Sequence, residues 1–407
     1  MPAFLFLINL SLCLWMYFRE PTFALRSFYV LSMVVFYFIP AALNPLIYPD
    51  YALRVPVELA WLLGSVLVAV TRWPQRTIEH LLQRHLPQRK IVELFLVLLV
   101  AVGVMAGLGF TPLSESARFI ATTMYFLLCF LGIYSYYHRD RLGRFYIAFG
   151  ALAFVCFVVF YTLLWTGFGR MMLARFFFVA FFFASMGMSV RRVRFLKAFA
   201  LLLLPVFITI SGLLRSDTAT VGNAIAEGNG IGSVISPMMF TERLYYDMRD
   251  GNFPMLYGES YVVTLLFFVP RSLWPSKPPG FGRQMVPWYQ PRSRHPGHSL
   301  AGTHLGEAFG NFGRAGVLIG PLVLYLYLFL IQVFFNLRKH FPNTQQIILL
   351  LCGVLYLASI PDLLWGGTFT AYSRAGVSIL FSMPAIYLFL KVRLWGTPAA
   401  PTPRAVR

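Results

Sequence analysis

GVLIGPLVLYLYLFLIQVFF, residues Gly316 to Phe335, contains no charged side chain. An α-helix rises about 1.5 Å per residue, so a run of this length matches the roughly 30 Å hydrocarbon core of a bilayer. Such a stretch reads as a membrane-crossing helix. Comparable apolar runs recur near 2–17, 28–49, 52–70, 91–111, 119–137, 145–165, 171–190, 195–214, 344–361 and 375–391. The fold class that follows is all-α: a polytopic integral-membrane helix bundle of about eleven transmembrane helices, or about ten to twelve if the short end runs and the proline-broken 28–61 region divide differently. Residues 1–214 carry the N-terminal spans, 215–315 one large loop, 316–391 the C-terminal spans and 392–407 a tail.

Composition agrees. Of the 407 residues 58% are hydrophobic and only 12% charged, about half the charged share of a soluble domain. The net charge of +19, from 34 Lys and Arg against 15 Asp and Glu, would in a soluble chain suggest a nucleic-acid partner. Its placement argues otherwise. The basic residues gather in short connections: Arg72 to Lys90, Arg139 to Arg144, Arg191 to Lys197, and Arg338 with Lys339. Short loops rich in Lys and Arg resist translocation, which puts these on the cytoplasmic face together with the tail. The connections around Asp50, Thr111 to Arg118 and Gly167 to Arg170 are nearly balanced and belong outside. No nucleic-acid motif accompanies the charge, so the expected partner is the bilayer with its anionic headgroups.

The cysteines, Cys13, Cys129, Cys156 and Cys352, lie inside apolar runs and form no CxxC pair. They read as small buried hydrophobes, without a disulfide framework or a zinc site. The first residues are apolar from the start, with neither a basic leader nor an Ala-x-Ala cleavage site. A first span fits better than a cleaved signal.

The 215–315 loop far exceeds the roughly 2–8 residues that join helices in a bundle. Its first half holds most of its acids, Asp217, Glu227, Glu242, Asp247, Asp250 and Glu259, with a helix expected around Ile235 to Gly251. YVVTLLFFVP, Tyr261 to Pro270, is too short to span and reads as a re-entrant or interfacial helix against the outer leaflet. The second half reverses sign: Arg271, Lys277, Arg283, Arg292, Arg294 and Arg314, with His295, His298 and His304, face Glu307 alone. Trp274, Phe281, Trp288 and Tyr289 interleave with these cations among seven prolines between Pro270 and Pro296. Arg forks grip phosphate oxygens bidentately and Lys adds a point charge, so Arg271, Lys277 and Arg283 suit a pyrophosphate at the membrane surface. Aromatic faces suit sugar rings. Interfacial anchoring is the other reading of Trp274 and Trp288, and a solvated basic loop the other reading of the whole stretch.

PRSLWPSKPPGFG, Pro270 to Gly282, followed by THLGEAFGNFGRAGVLIG, Thr303 to Gly320, resembles the bacterial O-antigen and oligosaccharide repeat-unit polymerases. The resemblance is strongest over these 50 or so residues; elsewhere it rests on span number and one late loop. It implies a GT-C-like, metal-independent membrane glycosyltransferase, related to O-antigen ligases, in the bacterial inner membrane with its active site facing the periplasm. An arginine, ten residues and a glycine mark loops of some members, and Arg271 with Gly282 has that spacing. No second copy starts at Arg170, Arg215, Arg243 or Arg249.

The implied substrate is an oligosaccharide on undecaprenyl pyrophosphate, destined for O-antigen, capsule or exopolysaccharide; a chain-length regulator and a flippase of the same assembly route are implied partners. Pyrophosphate already leaves readily, so preorganised cations should contribute most. On this reading Arg271, Lys277 and Arg283 hold the pyrophosphate, and Glu307 or His304 accepts the acceptor's proton. Trp274, Arg215, Arg314, Arg374 and His298 are further binding candidates. The plainer readings stand beside these: Glu307 as ion-pair partner of Arg314 or Arg271, His298 and His304 as solvated loop histidines, the glycines from Gly306 to Gly320 as close helix packing, and Arg175 as a snorkelling side chain. No DxD-like element occurs, so neither metal nor cofactor is expected. Two other activities share much of this chemistry: an O-antigen ligase, differing in its acceptor, and a polyprenyl-linked oligosaccharide flippase, for which internal repeats and midplane charges would be the signs.

Overall fold

The fold is taken from a computed structural model, which describes residues 1–47, 52–71, 175, 178, 179, 181, 182, 185, 188–213, 229–290, 299–337 and 343–391. Among the described residues every regular element is helical. In chain order these are α1 (Pro2–Arg19), α2 (Leu25–Met33), α3 (Ile39–Ile47), α4 (Val55–Val70), α5 (Val190–Leu213), α6 (Asn229–Arg249), α7 (Glu259–Leu265), α8 (Phe281–Gln284), α9 (Val286–Tyr289), α10 (His304–Phe312), α11 (Gly316–Leu337), α12 (Asn343–Ala358) and α13 (Ile360–Lys391).

Among the described residues three helical stretches are long and apolar enough to cross a membrane: Pro2–Arg19, Leu25–Leu46 and His304–Leu337. A fourth forms if Leu349–Ala358 and Ile360–Gly376, bent by 91° at Ser359, act as one broken span. The runs near 2–17, 28–49, 52–70, 195–214, 316–335 and 344–361 all lie on helices. Those at 91–111, 119–137 and 145–165, and most of 171–190, lie outside the described residues. The last run differs from the expectation. Its helix begins at Ile360, not near 375, and takes in a polar stretch that hydropathy alone rejects.

Local chemistry explains the boundaries. Pro2 and Pro56 occupy first-turn positions, where a missing N–H costs nothing. A π-helical turn, Val34–Phe38, joins α2 to α3. Its wider winding accompanies a buried Tyr37 whose hydroxyl donates to the Glu58 carboxylate on α4. At the other end of α1, Lys197 Nζ donates to the Tyr17 and Glu20 carbonyls at 2.5 and 2.7 Å, pairing groups that the end of a helix leaves open.

The stretch His304–Leu337 is not one rod. After a 3-10 turn at Gly313–Ala315, α10 folds back along the start of α11. A Cβ on Gly316 would meet the Phe309 amide nitrogen at 2.7 Å, and one on Gly320 would lie 3.6 Å from Leu305 Cα. The small residues therefore serve close helix packing, and the long apolar helix is α11 itself. The main apolar core runs through α1, α2, α4, α11, α12 and α13. A second cluster, Phe240, Leu244, Phe253, Phe281, Met285 and Leu300, forms within the large loop itself.

Candidate functional site

The basic half of the loop begins where α7 ends. Pro270 follows the apolar run and its carbonyl accepts from the Leu273 and Trp274 amides, both at 3.1 Å, which turns the chain back. Lys277 then reaches under the turn. Its Nζ donates to the carbonyls of Leu266, Phe267 and Val269 at 3.0, 2.9 and 2.9 Å, and Arg271 Nη1 donates to the Lys277 carbonyl at 2.8 Å. An ammonium has three donors, and here three carbonyls take them. Burial, and after it the neighbouring Arg271 guanidinium, pull the Lys277 pKa below its usual value.

Arg271, Lys277 and Arg283 line one cavity of about 300 Å³. Its floor is Gly280, Phe281 and Gly282; its far wall is Gly366, Phe369 and Thr370 of α13; Ser299 closes one side. No Asp or Glu is among the lining residues. Arg271 and Arg283 are exposed, while Lys277 is 8% exposed. Glycines let the walls meet: a Cβ on Gly282 would lie 2.1 Å from the Leu300 carbonyl oxygen, and one on Gly280 would lie 2.6 Å from Phe369. The arginine-to-glycine spacing thus brings Arg271 and Gly282 to the same cavity.

The α13 wall is held from behind. Gly367 breaks the helix at φ +79° and ψ −174°, a conformation essentially confined to glycine. The helix restarts at Thr368, whose amide and hydroxyl donate to Glu307 Oε2 at 2.6 and 2.8 Å. Ser260 Oγ donates to Glu307 Oε1 at 2.7 Å, and Asn311 Nδ2 donates to Ser260 Oγ at 2.8 Å. Glu307 is fully buried and functions as a side-chain cap for the second half of α13. Thr303 braces the same junction. Its amide donates to the Trp365 carbonyl at 3.1 Å, and its hydroxyl accepts from the Gly306 amide and bonds the Thr241 hydroxyl at 2.7 Å.

The expected site residues therefore separate. Arg271, Lys277 and Arg283 converge on the cavity. Trp274 lies in the turn beside them, its carbonyl accepting from the Lys277 amide, without lining the cavity. Glu307 and His304 do lie on one helix, but they diverge: Glu307 turns to α7 and α13, whereas His304 is buried edge-on against Trp61 of α4, ring centroids 5.1 Å apart. Among the described residues His304 Nδ1 has no hydrogen-bond partner. Glu307 pairs with hydroxyls and an amide in place of the Arg314 or Arg271 that its charge suggested. Arg314 is exposed in the 3-10 turn, where its charge helps, after that of Arg249, to hold the Asp250 carboxyl below its ordinary range. Arg215 and His298 lie outside the described residues.

Sequence reasoning missed Asp362. It is fully buried beside the 91° bend and takes Arg175 Nε and Arg374 Nη1 at 2.5 Å each. Arg175 is thus ion-paired inside the bundle, not snorkelling. The signal was present in the pairing of a lone acid with lone arginines inside apolar sequence. Arg374 stands one helical turn beyond Thr370, next to the cavity wall.

Among the described residues no group of three or more His, Cys, Asp or Glu is disposed to hold a metal. No family model matches the chain, and neither a curated protein nor a solved structure matches it.

Proposed function

We propose that this protein polymerises lipid-linked oligosaccharide repeat units in the bacterial inner membrane, using undecaprenyl-pyrophosphate-linked glycans on the periplasmic side. One observation carries the reading: a cavity of about 300 Å³ gathers Arg271, Lys277 and Arg283 with no acid among its lining residues. Exposed guanidiniums over a glycine floor suit a pyrophosphate, and the aromatic and hydroxyl groups of Phe369, Thr370 and Ser299 suit a sugar beside it.

In the reaction a hydroxyl of the distal sugar on one lipid-linked unit attacks the anomeric carbon of the glycan on a second. The new glycosidic bond forms as the anomeric carbon–phosphate oxygen bond breaks. The electron pair leaves on undecaprenyl pyrophosphate and the hydroxyl proton passes to a base or to water. Arg271 and Arg283 stabilise the departing charge. Lys277 adds its field while tying the turn to α7. Glu307, saturated by three donors, serves as a positioning residue for the α13 wall.

Deletion of the gene followed by gel analysis of surface glycans tests the proposal. Loss of polymerisation leaves lipid core capped with single repeat units. No attached glycan at all would overturn it in favour of a ligase, and units trapped in the cytoplasmic leaflet would overturn it in favour of a flippase.

A further inference from the structure

Helix α7 turns apolar side chains outward while burying two hydroxyls. Its buried residues are Ser260, Val263 and Thr264, and the two hydroxyls are spent on Glu307 and Thr368. Beyond the exposed Glu259 of its first turn, the outward face carries Val262, Leu265 and Leu266, 50%, 68% and 37% exposed. The turn that follows adds Phe268 at 60% and Leu273 at 79%. Water would favour the reverse arrangement.

The depth of α7 gives the reason. Ser260 bonds Glu307, and the Leu256 amide, just before α7, donates to the Gly310 carbonyl at 3.0 Å. Both partners belong to α10, which lies along the first turns of α11. The 22 residues of α11 rise about 33 Å, close to the hydrocarbon thickness, so its first turns mark one edge of the bilayer. Helix α7 sits at that edge.

The end of α7 is also prepared for an apolar setting. A helix terminus in lipid cannot leave carbonyls to water. Here Lys277 Nζ fills the carbonyls of Leu266, Phe267 and Val269 from within, and exposed Arg271 stands at the rim, where anionic headgroups would lie.

We propose that Val262, Leu265, Leu266, Phe268 and Leu273 form a lipid-docking face, immersed in the boundary of the leaflet on the cavity side, so that the cation cavity opens at headgroup level. The occupant is bilayer lipid. The inference requires a membrane-spanning chain and does not depend on which reaction the cavity performs.

Nitroxide labels at Leu265→Cys, Phe268→Cys and Leu273→Cys, in a background with the four native cysteines replaced by alanine and reconstituted into phospholipid nanodiscs, test it. Accessibility to oxygen should exceed that to a water-soluble nickel chelate several-fold at all three, as at lipid-facing Leu322→Cys, and the ratio should invert at Arg283→Cys. Chelate access equal to that at position 283 would overturn the proposal by placing the face in water. Low access to both reagents would overturn it by showing a second copy or another protein over the face. The unsubstituted chain supplies an independent arm: a phospholipid with a photoactivatable tail should mark the peptide spanning 257–273, and absence of adducts there beside adducts on α11 would sink the idea. Sugar-chain analysis is blind to these readouts, so failure here and failure of the polymerase reading are distinguishable.

Discussion

Glu307 occupies the space that a side chain at position 367 would need. A Cβ on Gly367 would come within 2.6 Å of Glu307 Oε2, and the φ of +79° at that glycine already excludes ordinary residues. Gly367→Ala therefore meets backbone strain of about 1–3 kcal/mol together with displacement of the carboxylate. The expected outcome is a lower melting temperature in detergent and loss of polymer, since the wall at Phe369 and Thr370 moves with the break.

Glu307→Gln separates two roles for that carboxylate. Three donors converge on it, and an amide must turn its own NH2 toward some of them, at a cost of about 1–3 kcal/mol. A positioning carboxylate loses stability and activity together. If the variant melts like the parent while chain growth stops, Glu307 is a proton acceptor instead.

Arg283 is the cleanest probe of the cavity. It is exposed, and among the described residues its guanidinium makes no hydrogen bond or ion pair. Arg283→Ala should fold normally and weaken pyrophosphate binding by roughly 10–100-fold, the worth of about 1.5–3 kcal/mol for a hydrogen bond to a charged group. Arg271→Ala should cost as much in binding and also some stability, because it abandons the Lys277 carbonyl. Calorimetry with inorganic pyrophosphate beside thermal melts reads both.

Lys277 gives the cavity a pH dependence. Its pKa is lowered from the usual 10.5 by burial first and Arg271 second. The folded chain then releases this proton at a pH where an unfolded chain still holds it. Between the lowered value and 10.5 folding gains relative to the unfolded state, while the cavity loses one positive charge. Pyrophosphate affinity should accordingly fall as pH rises through that window. In Lys277→Met affinity should be lower below that window, match the parent above it and show no alkaline step; a parent-like step in that variant would assign the titration elsewhere.

Asp362 neutralises part of the charge of two arginines at the bend. Asp362→Ala leaves Arg175 buried without its counter-ion, and breaking such a pair costs about 3–5 kcal/mol. The protein should lose yield and melt early. Pairing the change with Arg175→Met should recover part of the loss, and failure to do so would mean that Arg374 is the partner that matters.

Hydropathy made α1, α11 and α12 legible because their lipid-facing and core-facing sides are both apolar. It missed the start of α13, where Asp362, Gly366, Gly367, Thr368, Thr370, Ser373 and Arg374 crowd into a few turns. That stretch is helical because its polar groups find partners far along the chain, at Glu307 and Arg175, and a local window contains neither. Charge pattern likewise brought Arg271, Lys277 and Arg283 together correctly, since like charges around one short turn have few places to go. The pattern does not reveal the surroundings of Glu307, which is buried among partners from Ser260 and Thr368. Spacing on a helix says which residues neighbour one another, not which neighbouring helix each will meet.

The bond from Thr368 to Glu307 has an evolutionary consequence. Position 260, position 307 and the adjacent pair 367 and 368 are far apart in the chain, yet a change at one leaves a donor, an acceptor or a cramped space at another. In homologous chains these four should be inherited as a unit, with an exchange at 307 accompanied by exchanges at 260 and 368.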